Sequence, residues 1–131
     1  ALQTLMGKVE QKFDENEEQL MVRYAINKKN YEMLDFLLAN GFSVDGNSPT
    51  ETHLQYAINN YYSWPIDILI DYGANINLKY SNGDNLLHVA ARKGDMSLAQ
   101  KLIKAGVNPK EKNNVGYYPE KVARKANYKE S

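Results

Sequence analysis

Three alanines do most to constrain this chain. Ala57, Ala90 and Ala123 stand 33 residues apart, twice in succession, and Ala25 precedes Ala57 by 32. Gly41, Gly73 and Gly106 each follow their own Ala by 16, and Gly83 and Gly116 keep the interval of 33. Two series locked to one period in 131 residues imply a single structural unit used several times.

Each unit reads alike. The pattern predicts short Ala-bearing helices over 20–27, 54–60 and 87–92, and longer amphipathic helices over 32–40, 65–72 and 97–105. Polar breaks separate the two, as at Lys28-Lys29-Asn30 and Lys93-Gly94-Asp95. Leu34, Leu37 and Leu38 share one helical face, as do Ile66, Leu69 and Ile70, and Leu98, Leu102 and Ile103. A Gly closes each long helix, and Ser63 stands as N-cap before Pro65. Ser81-Asn82-Gly83-Asp84 is a strong turn signal. One such helix pair cannot hide its own stripe, so the next pair must cover it, at roughly 25 cal/mol per Å² of apolar surface. The expected domain is single, 1–131. A capping helix over 1–16 carries Leu2, Leu5, Met6, Val9 and Phe13. Repeats follow over 17–46, 47–79 and 80–112, with a partial capping repeat over 113–131.

Composition narrows the chemistry. With 43% hydrophobic and 24% charged residues the chain should bury a core. The absence of cysteine excludes disulfides, thiolate metal sites and a Cys nucleophile. No apolar run is long enough to span a bilayer, and residues 1–7 show no signal peptide. The start at Ala1 leaves open whether something upstream was removed. A soluble protein is expected, with the cytoplasm favoured and a periplasmic or secreted site left open. Residues 1–71 hold five Lys or Arg against eleven Asp or Glu (−6), and 72–131 hold eleven against five (+6). Such asymmetry bears on association more than on fold, and a monomer is the expected state.

The stretch Gly83-Asp84-Asn85-Leu86-Leu87-His88-Val89-Ala90-Ala91-Arg92-Lys93-Gly94-Asp95 resembles the ankyrin repeat family's G-x-T-P-L-H-x-A-A-x-x-G-H. Leu102 to Asn108 and Asp71 to Asn77 resemble the family's L-L-x-x-G-A-D ending. The likeness covers about residues 20–128 and is densest in the third unit. It implies an all-α ankyrin-type solenoid of stacked helix-turn-helix repeats with short hairpin-like finger loops. Asn85-Leu86 and Thr52-His53 replace the usual Thr-Pro, and Lys29 and Tyr61 replace the Gly after the short helix. The turn geometry of the first two units is therefore left open.

His88 invites a catalytic reading, but the family places this His at the start of the inner helix, bonded to neighbouring turns. No second ligand or nucleophile accompanies it, and His53 is the only other His. No nucleophile elbow, phosphate-binding loop or H-E-x-x-H is present. Neither catalysis, metal, cofactor nor small-molecule substrate is expected. The run Asp14-Glu15-Asn16-Glu17-Glu18 reads as a solvated linker with favourable carboxylates at the start of the next helix. Lys121, Arg124, Lys125 and Lys129 read as an exposed face, with nucleic acid disfavoured. Of the aromatic residues, Tyr61, Tyr62 and Trp64 fall in a polar break and Tyr80 and Tyr117 at finger tips, either as contacts or as local packing.

The resemblance implies a protein partner on a concave surface of inner helices and finger tips. Its contact positions here are Asn27, Lys28, Asn59, Asn60, Arg92, Lys93 and Lys125, with tips Glu51, Ser81, Asn82, Asp84, Asn114 and Tyr117; Tyr61 and Tyr62 join them as aromatic candidates. The expected function is a non-catalytic interaction module, in an inhibitor or immunity-type role. The alternative is a recognition domain of a larger enzyme or effector.

Overall fold

The computed structural model describes residues 13–130, with side chains over 13–125. Seven helices and no strand occur among the described residues. They are α1 (Glu15–Asn27), α2 (Tyr31–Ala39), α3 (His53–Asn59), α4 (Trp64–Asp71), α5 (Leu86–Lys93), α6 (Met96–Ala105) and α7 (Pro119–Glu130). From α2 to α6 each predicted helix begins within one residue of its observed start, and each Ala of the 33-residue series lies in a first, short helix of its pair or in α7. The architecture of the described residues is all-α. Two compact units divide the chain after Ala74.

In the first unit α1 packs on α2, α3 on α4, and α1 on α3. Val22, Ala25, Leu34, Leu37, Leu54, Ala57 and Leu69 form its core, and burying each large aliphatic side chain contributes about 1.5–3 kcal/mol. The expected capping helix lies outside the described residues up to position 12; Phe13 packs edge-on against Phe42, ring centres 6.3 Å apart. The acidic run is the start of α1 itself and not a linker before it, and its carboxylates stand at the helix start as expected. Asp14 is the N-cap of α1, accepting from the Glu17 amide at 2.7 Å while the Glu17 carboxylate accepts from the Asp14 amide. Reciprocal capping, with carboxylates at the positive helix end, starts α1 five residues earlier than apolar periodicity alone indicates. Ser63 is a second correction: it precedes α4, but its hydroxyl makes no capping bond, and Pro at the helix start removes one amide that would need a partner.

In the second unit α5 packs on both α6 and α7 around Leu86, Leu87, Ala90, Leu98, Leu102 and Val122. Asn85 and Thr52, 33 residues apart, do the same work at their helices. Each caps the amide three residues on, and His88 or Gln55 returns a bond to the cap's own amide. The replacement of Thr-Pro thus leaves the inner-helix start intact. Ile103, expected on the buried stripe of α6, is half exposed instead (51%) and borders an open groove.

Candidate partner-binding site

The turn after each short helix needs one residue in the left-handed region. In the second unit Gly94 supplies it, with φ 68°. Lys29 and Tyr61 hold the same register and the same conformation, φ 54° and 61°. All three turns therefore share one geometry, although two of them lack the residue that adopts it without strain. Tyr61 combines this strain with 77% exposure. Around it, Asn59 is exposed, Asn60 donates its amide to the Tyr56 carbonyl at 2.9 Å, and half-buried Tyr62 leans on the Tyr56 ring. Asn27 accepts from the Tyr56 hydroxyl at 2.6 Å, and the Lys28 ammonium lies 5.7 Å from the Tyr24 ring centre. Trp64 donates its indole N–H to the Ile26 carbonyl at 3.3 Å, a local packing role.

Arg23 organises this side of the first unit, and sequence reasoning missed it. Its guanidinium donates from Nε to His53 Nδ1 (2.9 Å), from Nη2 to the Glu51 carbonyl (3.1 Å), and from Nη1 to the Glu51 carboxylate (3.3 Å). It also lies 4.1 Å above the Tyr56 ring. The other Glu51 oxygen accepts from the Asn59 amide at 2.8 Å. Arg23, Gln55 and His88 are spaced 32 and 33 apart, so Arg23 holds the position of His88. In the second unit His88 makes the corresponding bond. Its Nδ1 accepts from the Asn85 amide, which fixes the proton on Nε2, and Nε2 then donates to the Tyr117 carbonyl at 2.8 Å. Tyr117 is two periods of 33 beyond Glu51. Every polar atom of the buried His88 ring is thereby satisfied, which is the structural role expected for it.

His53 differs. Its Nδ1 is occupied by Arg23, so its proton sits on Nε2, which is buried and has no hydrogen-bond partner. Burial, and then the neighbouring Arg23 charge, lower its pKa from 6.5 to about 4. The ring stays neutral near neutral pH. No group of three or more His, Asp or Glu among the described residues could hold a metal.

The finger tips of the second unit are tied together. Tyr80 donates its amide to the Asp84 carbonyl and Asn113 to the Tyr117 carbonyl, both at 2.9 Å, closing two similar turns. Asn114 joins them, donating its backbone amide to the Asn82 carbonyl (3.0 Å) and its side-chain amide to the Ser81 carbonyl (3.2 Å). Asp84 corrects the expectation that it is a contact residue: it is 1% exposed. Its carboxylate accepts from Arg92 (2.7 Å), Asn113 (2.9 Å) and Asn82 (3.1 Å). Burial alone would raise its pKa; these bonds and the Arg92 charge outweigh burial and hold the carboxyl below its ordinary range. Arg92 is half exposed, and Ser81, Asn82, Asn114 and Lys125 are exposed, whereas Lys93 is intermediate. Tyr117 is half-buried, with the Lys121 and Lys125 ammonium groups 5.5 and 5.4 Å from its ring centre. The described part of the basic run thus has two of its lysines against one aromatic ring; the Lys129 side chain lies outside the described residues.

Residues 69–123 match a family model described as ankyrin repeats in many copies. Among solved structures the chain is similar to the ankyrin repeat domain of Bcl-3, described as a unique member of the IkappaB protein family, at 25% identity and a TM-score of 0.69. The likeness covers 84% of this chain and 50% of that one, so the chain spans about half the length of that relative. No curated protein matches the chain. No helix among the described residues is long and apolar enough to cross a membrane.

Proposed function

Since this chain is an ankyrin-repeat protein, and such repeats generally serve as protein-interaction modules, we propose that it binds a protein partner through its turns and short inner helices, as a non-catalytic module. The carrying observation is Tyr61: a large exposed ring on a left-handed backbone where a glycine would relieve strain. Asn59, Asn60 and Tyr62 surround it with hydrogen-bonding and aromatic surface, a composition suited to a partly wet interface. In the second unit Asn82, Arg92, Tyr117 and Lys125 offer the corresponding chemistry, with Asp84 fastening Arg92 from below. Where the partner is an enzyme, binding of this kind covers its surface and blocks it, which is the inhibitor role.

The test is capture from native lysate on immobilised protein, read by mass spectrometry, with Tyr61→Gly beside the wild type. A protein recovered stoichiometrically by the wild type and lost with Tyr61→Gly supports the assignment. A partner held equally by both removes Tyr61 and its turn from the interface.

A further inference from the structure

Successive helices pack in pairs: α1 with α2, α3 with α4, α5 with α6. Beside α6 and α7, within the second unit, lies an open groove of about 740 Å³. Small residues Ala91, Ala99 and Ala123 line it, with Met96, Ile103 and Tyr118. Those last three are 70%, 51% and 44% exposed, so large apolar groups stand uncovered around a floor of methyl groups. Large apolar side chains standing around a floor of small ones suit the apolar stripe of a helix.

Charge selects the kind of helix. Lys110 lines the groove and Lys104 adjoins Ile103 on α6. Lys112 lies over the Tyr118 ring, its ammonium 5.4 Å from the centre. The two carboxylates lining the groove are already engaged. Asp95 accepts from the Leu98 amide at 3.0 Å as the α6 cap, and Glu120 pairs with Arg124. Lys110 in the lining and Lys112 over Tyr118 thus bring positive charge to an apolar trough, in a unit whose residues 75–131 carry +6, since residues 72–74 are uncharged.

We propose that this groove binds an acidic amphipathic helix of a partner protein. Two or three aliphatic side chains at i, i+3 or i+4, and i+7 rest between Met96, Ile103 and Tyr118, and flanking Glu or Asp meet Lys104, Lys110 and Lys112. Neither Tyr61 nor the contact residues Asn59, Asn60, Tyr62, Asn82, Arg92, Tyr117 and Lys125 line the groove, so this second surface is tested independently of them.

The probe is a fluorescein-labelled synthetic peptide of about four helical turns, with Leu on one stripe and Glu on the remaining positions, titrated with the protein and followed by anisotropy. The expected result is saturable binding that weakens as salt is raised. A peptide with Lys in place of Glu should bind at least tenfold more weakly. Ile103→Asp and Met96→Asp each reduce affinity tenfold or more. Both side chains are exposed, so the variants should keep the wild-type melting temperature, and Tyr61→Gly should leave peptide affinity unchanged. Equal binding of the acidic and basic peptides, binding unaffected by Ile103→Asp, or no binding at all overturns the proposal. So does sedimentation showing self-association that Ile103→Asp abolishes, because a second copy would then be the occupant.

Discussion

Replacing Tyr61 by glycine should make the protein more stable while weakening it as a binder. A non-glycine residue in the left-handed region costs roughly 1–2 kcal/mol, and Tyr61 sits there at φ 61°. Glycine removes that strain but loosens the unfolded chain, at a cost of about 0.4–1 kcal/mol. The ring is 77% exposed, so its removal forfeits little burial. The net gain is about 0.5–1 kcal/mol, or roughly 2–4 °C in melting temperature for a chain of this size. Urea unfolding followed by circular dichroism measures it, with the reciprocal variant as control. Gly94 holds the same turn register at φ 68°, and an added Cβ there meets nothing within 4 Å. Gly94→Ala should therefore lose about 1 kcal/mol from backbone strain alone. A Tyr61→Gly protein no more stable than wild type would refute the claim that this turn stores strain, and with it the main reason for assigning Tyr61 to binding.

Two further outcomes follow from buried polar groups. His53 has a folded pKa of about 4 against 6.5, a difference worth about 3 kcal/mol. The unfolded chain takes up a proton there that the folded chain refuses, so stability falls as pH drops from about 6.5 to about 4; denaturant titrations across that window should lose this slope in His53→Gln. Asp84→Ala removes the acceptor for Arg92, Asn113 and Asn82 and should cost about 2–3 kcal/mol by the same assay; an effect under about 0.5 kcal/mol would mean the network fastens nothing.

Much of the fold was legible because burial and backbone geometry both obey the 33-residue interval. Ala57, Ala90 and the glycines that close the long helices are dictated by close packing and by positive φ, which few residue types satisfy. The start of α1 was not legible from apolar periodicity, since Asp14 and Glu17 act through hydrogen bonds at the helix end. Ile103 looks like core in the pattern because it extends the Leu98 and Leu102 stripe; only the position of α7 shows that nothing covers it. Arg23 was hidden by its chemistry. It shares neither size nor shape with His88, yet its reach lets it make the same forward bond to the next turn's carbonyl. The spacing of 32 and 33 through Gln55 was the available signal. Among the contact candidates, Asp84 shows the limit of carrying positions over. A carboxylate at a finger tip can point outward or inward, and only its three donors decide which.

The decisive measurement is hydrogen exchange of the protein alone and bound to its captured partner. Binding through the turns should slow exchange across 57–64 and around Arg92, with the outer surfaces of α2 and α4 unaffected. Protection confined to those long helices, with 57–64 exchanging as in the unbound protein, would contradict it.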